Sequence, residues 1–170
     1  MGDAVGLEKT AVRVWKRLTR EERLAASTAF YEDAGELTGA AVRAIAQARH
    51  LRPQVARALS SEEQARALAT VLDPGELLAS SLLVALHLKH RRPLLRAFLD
   101  AAGLPHEDGV LKDDEAAPST LSEENARAAV AALAAFPRQE ALTYLNTLWL
   151  QDPDRWEVLQ RAVEALPEKG

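Results

Sequence analysis

Five helix starts are spelled out along this chain, and they constrain its fold more than any other feature. Thr19-Arg20-Glu21-Glu22 and Ser60-Ser61-Glu62-Glu63 read as capping boxes, in which a hydroxyl and a carboxylate three residues on satisfy backbone donors that a helix leaves open. Asp73-Pro74-Gly75-Glu76 offers the same arrangement with proline at the first helical position. Ser122-Glu123-Glu124 and Asp152-Pro153-Asp154 are two further starts. Starts this frequent leave room only for short helices.

Between them Ala, Leu, Glu and Arg dominate, all strong helix formers. No segment alternates at period two with β-branched residues, so no sheet is expected. The expectation is one all-α domain over 1–170, a compact bundle of about eight to ten short helices, with irregular helical hairpins as the alternative. A repeat array is not indicated, because no period of about 34 or 40 residues recurs.

Apolar spacing fills in the elements. Helices are expected over 7–17 (Leu7, Ala11, Val14, Trp15, Leu18 inward) and 20–32 (Leu24, Thr28, Tyr31 inward). A third over 36–48 buries Leu37, Ala41, Ala44, Ile45 and Ala48, with Gly35 and Gly39 blurring its start. Arg52-Pro53 opens a short helix to 59, and 62–72 buries Ala65, Leu68, Ala69 and Leu72. The helix over 74–90 is apolar on more than one face and should be central. The helix over 93–102 stops at Gly103-Leu104-Pro105, where glycine fits a left-handed cap. A polar acidic loop over 107–120 then separates the last three helices, expected over 123–135, 138–150 and 153–166. Their inward faces are Ala126, Ala129, Val130, Leu133; Leu142, Leu145, Leu148, Trp149; and Trp156, Leu159, Val163, Leu166.

Chemistry-bearing residues concentrate between 77 and 109. His87 and His90 lie three apart near a helix end, where the dipole favours cations. His106, Glu107 and Asp108 follow one helix later; together the five are the candidate catalytic or metal-binding residues. No His-Glu-x-x-His and no paired Glu-x-x-His motif is present, so no metal or other cofactor is assigned. Lys89, His90, Arg91, Arg92 and Arg96 read as the one local concentration of positive charge. Arg91, Arg92 and Arg96 are therefore the candidates for holding an anion or a partner. The carboxylates of Glu107, Asp108, Asp113, Asp114 and Glu115 are the simplest counter-charge for that group. No aromatic side chains interleave with the basic group, and the net charge is −4, which argues against nucleic acid. Ser80 and Ser81 sit in an apolar helix and not on a Gly-x-Ser-x-Gly elbow.

No cysteine is present, and the start lacks a basic stretch followed by an apolar run, which fits a cytoplasmic protein. Arginine-rich basic usage with abundant Ala and Leu fits a GC-rich bacterial genome. No apolar run is long enough to span a bilayer. The residues leave two functional readings. One is a non-enzymatic helical protein-interaction or regulatory module whose partner is another protein. The other is a small enzyme or ligand- or metal-binding protein using the cluster between 87 and 108. The residues do not fix an oligomeric state. Trp15, Trp149 and Trp156 are expected in the core, and either of the last two would become an interface anchor if exposed.

Overall fold

In the computed structural model, which describes residues 6–33, 37–112 and 121–168, the chain is all-α apart from one two-residue ribbon. It divides into two compact units, Thr10–His90 and a second made of Met1–Lys9 with Arg91–Gly170.

Among its described residues the Thr10–His90 unit holds six helices: α1 Ala11–Arg17, α2 Arg20–Glu32, α3 Thr38–Arg49, α4 Pro53–Ala58, α5 Ser61–Ala69 and α6 Glu76–His90. Thr19 and Ser60 cap α2 and α5 as their sequences dictate. The Ser60 box is complete: the Glu63 amide donates to Ser60 Oγ at 3.2 Å, and the Ser60 amide donates to Glu63 Oε2 at 2.9 Å. The third start works differently. Gly75 takes a φ of 90° and α6 begins only at Glu76. Its carboxylate does not close a box on its own helix. It accepts from the amides of Ala11 at 2.9 Å and Val12 at 3.1 Å, and so caps α1 from 65 positions away. Thr10 Oγ1 takes the Arg13 amide, and Thr10 O that of Val14.

α6 is the centre of this unit. Leu78, Ala79, Leu82, Leu83, Leu86 and His87 are buried along it, and both α1 and α2 lie against it. Trp15 is fully buried, with its indole N–H donating to Val71 O at 2.8 Å. Arg23 ties the ends of α1 and α5 together through Leu18 O and Ala69 O.

Three inward faces differ from expectation. On α2 the buried residues are Ala26, Ser27, Ala29 and Phe30, while Leu24 and Thr28 are exposed. Small side chains let α2 approach α5 and α6 closely, so the thin face wins over the bulkier stripe. On α3, Val42 and Ala46 are buried and Ala48 is exposed; Gly35 and Glu36 lie outside the described residues. α5 ends at Ala69, where the Thr70 hydroxyl donates back to Ala67 O at 2.6 Å, so Leu72 falls outside the helix and is 54% exposed.

The second unit holds α7 Arg92–Ala102, the strands β1 His106–Glu107 and β2 Val110–Leu111, then α8 Glu123–Ala132, α9 Arg138–Gln151, α10 Pro153–Trp156 and α11 Leu159–Ala162. α7 buries its expected stripe and ends on Gly103 at φ 70°, with the Leu104 amide returning to Leu99 O. α8 packs on α7 and α11, and buries Ala126, Ala129 and Val130 before a 3-10 turn through Leu133. The helix expected over 153–166 is divided, because the backbone tightens at Val158 and Val163, with ψ of −26° and −25°.

α9 departs most from its sequence pattern. Of Leu142, Leu145, Leu148 and Trp149, only Leu145 is buried. The buried run is Thr143, Tyr144, Leu145, Asn146 and Thr147, five consecutive residues that cover every direction around the helix. Tyr144 and Trp156 both meet Phe98, at centroid distances of 5.3 and 6.0 Å. Burial drives the Tyr144 phenol well above its ordinary pKa.

Candidate functional site

The ribbon exists because of two residues. Asp108 and Gly109 both adopt positive φ, 49° and 85°, which makes a two-residue turn of the primed kind that matches strand twist. It pairs Glu107 with Val110 and His106 with Leu111 in antiparallel register. An Asp-Gly pair is the strongest short-range hairpin signal, and it stands in the sequence where an unstructured loop was expected to begin. The remainder of that loop, 113–120, lies outside the described residues, and Asp113, Asp114 and Glu115 with it.

The ribbon is fastened to α7. A Cβ at Gly109 would stand 2.8 Å from the Leu95 Cβ, so only glycine fits there on both conformation and space. Arg92 Nη1 donates to Asp108 O at 2.7 Å, and Arg96 Nη1 meets Asp108 Oδ1 at 3.3 Å. His106 Nε2 bonds Asp100 Oδ1 at 2.6 Å, and the Gly109 amide donates to His106 Nδ1 at 3.1 Å. Glu107 faces Lys112 at 4.0 Å. The structure therefore brings together His106, Asp108, Arg92 and Arg96, and adds Asp100.

That arrangement fixes the imidazole. Because Nδ1 accepts from an amide, it carries no proton, and the ring proton sits on Nε2 facing Asp100. An aspartate orienting a histidine is half of a general-base system. Here the basic nitrogen is occupied by a backbone N–H and not by a reacting group, so the ring serves as a strut of the ribbon.

His87, Lys89 and His90 of the sequence cluster belong to the Thr10–His90 unit. His87 is buried along α6 and His90 is exposed. Lys89 pairs with Glu32 at 2.7 Å, and that carboxylate holds its ammonium above the ordinary lysine pKa. Arg91, which begins the second unit, is itself buried. Among the described residues, no group of three or more His, Cys, Asp or Glu side chains is placed to hold a metal ion. No described helix is long and apolar enough to cross a membrane.

Two features escaped the sequence reading. First, Thr28 and Tyr31 of the α2 stripe border a groove of about 200 Å³ between α2 and α5, and exposed Leu24 stands one helical turn before Thr28 on the same stripe. Thr28, Tyr31, Ser61 and Ala65 form its mostly apolar wall, with Glu32 and Glu62 at the rim. The Tyr31 hydroxyl donates to Gln64 Oε1 at 2.9 Å, and Gln64 Nε2 donates to Leu59 O, which holds the wall in place. Burial pushes the Tyr31 phenol up to about 12. Second, the group around Arg91 is not the only concentration of positive charge. Arg49, His50, Arg52 and Arg57 are all exposed at the junction of α3 and α4. A second depression of about 190 Å³ lies against α10 and the start of α8, with Asp154, Glu157, Arg155 and Arg161 around it. Trp15 and Trp156 are core residues, whereas Trp149 is half-exposed.

No protein-family model, no curated protein and no solved structure matches this chain.

Proposed function

We propose that this protein is a non-enzymatic helical module of the bacterial cytoplasm that binds another protein, and that the groove between α2 and α5 receives an amphipathic helix of that partner. The observation that carries the reading is the outward stripe of α2. Leu24, Thr28 and Tyr31 recur at the spacing of one helix face, yet the helix buries a different face. A second apolar stripe on a helix already packed is a surface available to another helix. The groove is open, and at about 200 Å³ it is smaller than the cavities that enclose small-molecule substrates, about 300–1,000 Å³. Glu32 and Glu62 at the rim favour a helix with basic edges. Cytoplasmic placement and bacterial origin rest on composition: no cysteine, and arginine-rich basic usage.

The alternative, an enzyme or ligand- or metal-binding protein built on the cluster between 87 and 108, has less support. Both nitrogens of His106 are engaged, and Asp108 is engaged by Arg92 and Arg96.

A photo-crosslinking residue at Thr28, which is exposed, tests the reading. In a native lysate it should capture one partner protein. Leu24→Asp should abolish that capture, and Val110→Ser, which changes an exposed apolar residue of the other unit, should leave it intact. Capture that survives Leu24→Asp, or no specific capture, would sink the groove as the binding surface.

A further inference from the structure

From residue 37 to residue 61 the chain contains no carboxylate, while it carries Arg43, Arg49, His50, Arg52 and Arg57. This stands out in a protein of net charge −4. It is also uneven by unit: Thr10–His90 has eleven Lys and Arg against nine Asp and Glu, and the remainder has ten against sixteen.

The fold gathers these cations at one corner. His50 takes the left-handed conformation, φ 53°, and ends α3; the Leu51 amide returns to Ala46 O. Arg52 then caps α4, with Pro53 at its first turn. Arg49, His50 and Arg52 thus fall within four consecutive residues at a sharp reversal. Arg57 lies about 7.5 Å further along α4 by helical rise. That is within the ~10 Å over which charges act at ordinary salt. Arg43 extends the charge back along α3. All five are exposed, and among the described residues none of their side chains makes an ion pair or a hydrogen bond.

Other arginines of the molecule contrast with this. Arg23, Arg66, Arg92, Arg96, Arg127 and Arg138 each bond a carbonyl or a carboxylate within the chain. Like charges held close without counter-charge repel one another and destabilise the fold that holds them. Among the described residues of the unit no counter-charge accounts for their clustering, whereas an external anion would.

Val55 indicates which kind of anion. It is 49% exposed on α4, between Arg52 and Arg57. An aliphatic side chain one helical turn from the Arg52 guanidinium matches a carboxylate-rich segment with its own apolar residue. It offers nothing to a phosphate backbone, and no aromatic residue lies between 37 and 61 to stack on bases. The guanidinium forks suit carboxylates in bidentate geometry. We propose that the α3–α4 corner is a docking surface for an acidic segment of a partner protein, held by Arg49 and Arg52 with Val55 beside them, and extended by Arg57 on the other flank of α4. The proposal is independent of the α2–α5 groove, which involves none of these residues.

The test uses the full chain and three probes: a glutamate-rich peptide with one central leucine, a single-stranded oligonucleotide, and phosphatidylserine-containing vesicles. Fluorescence anisotropy should show the peptide bound at low salt and weakened by added salt. Arg49→Ser with Arg52→Ser should weaken it by about tenfold or more, and Val55→Ser by severalfold. Leu24→Asp should leave it unchanged, which separates this surface from the groove. Thermal unfolding should show the double serine variant at least as stable as the parent, since it removes repulsion. Three results would overturn the proposal. One is peptide binding that is absent or indifferent to the arginines. Another is an oligonucleotide or vesicle bound more tightly through the same arginines and insensitive to Val55→Ser. The third is a marked fall in melting temperature in the double variant, which would make the arginines structural.

Discussion

α6 and α9 are the longest described helices of their respective units, and they bury their side chains by opposite routes. α6 buries Leu78, Leu82, Leu83 and Leu86 along one broad side, while Leu77 is exposed. α9 buries Thr143, Tyr144, Asn146 and Thr147 around one leucine. The second route works because the polar groups are answered locally. Thr143 Oγ1 donates to Gln139 O, and Thr147 Oγ1 to Thr143 O, both at 2.8 Å and one turn back. Asn146 Nδ2 donates to Glu8 O at 3.1 Å. A hydroxyl bonded to its own helix presents a methyl group to the neighbours, so burying it costs little. A helix can therefore be buried by polar side chains as well as by leucines, provided that the polar groups are satisfied.

The comparison can be broken by mutation. Leu82→Ala in α6 should lower stability by about 2–5 kcal/mol in urea unfolding, because it leaves a cavity in an apolar helix environment. A loss as small as that of an exposed leucine would show that α6 is not the organising helix. Asn146→Ala in α9 should cost about 1–2 kcal/mol through the lost bond to Glu8. Thr143→Val, which keeps the shape and removes the hydroxyl, should cost less than about 1 kcal/mol. If the valine variant is the worse of the two, the local bond matters more than the long-range one.

Ser27 of α2 sharpens the contrast, since it is fully buried and its hydroxyl has no hydrogen-bond partner among the described residues. Ser27→Ala should raise stability by about 1 kcal/mol, seen as a higher melting temperature. The smallest effect concerns pH. Hydrogen bonds from Ser60 hold the Glu63 carboxyl below its ordinary value of 4.5. A depressed folded-state value contributes stability above the unfolded value and loses it as pH falls through the folded one. The wild type should thus exceed Glu63→Gln at neutral pH, with the gap closing below about pH 4. A gap that persists in acid would mean that shape, not charge, closes the box.

The sequence announced its helix starts plainly because capping is local. Thr19, Ser60, Ser122 and Asp152 each accept an amide three residues on. The stripes of α7 and α8 were equally legible, since bulky and small apolar residues there agree on one face. Where they disagree, the reading failed: on α2 the alanines and Ser27 took the interior from Leu24. α9 was missed because hydropathy does not register a hydroxyl bonded to its own backbone. For the cluster between 87 and 108, residue types were visible but pairings were not. Which carboxylate meets which cation depends on the Asp108-Gly109 turn, and that turn depends on glycine clearing Leu95. The arginines at the α3–α4 corner were signalled by something easily overlooked, a run of sequence with no acid in it.

The carboxylate of Glu76 at the head of α1 has a consequence for the order of events on the ribosome. α1 has seven residues, too few to persist alone, and two of its open amides wait for an acceptor 65 positions downstream. At about 5–20 residues per second, the first helix of its unit to leave the ribosome must remain unfinished for roughly 3–13 seconds until that acceptor is made. During that interval Trp15 has neither Val71 nor α6 to cover it. The earliest segment of this unit to be synthesised is thus among the last to settle, and it is the one that chaperones would find open.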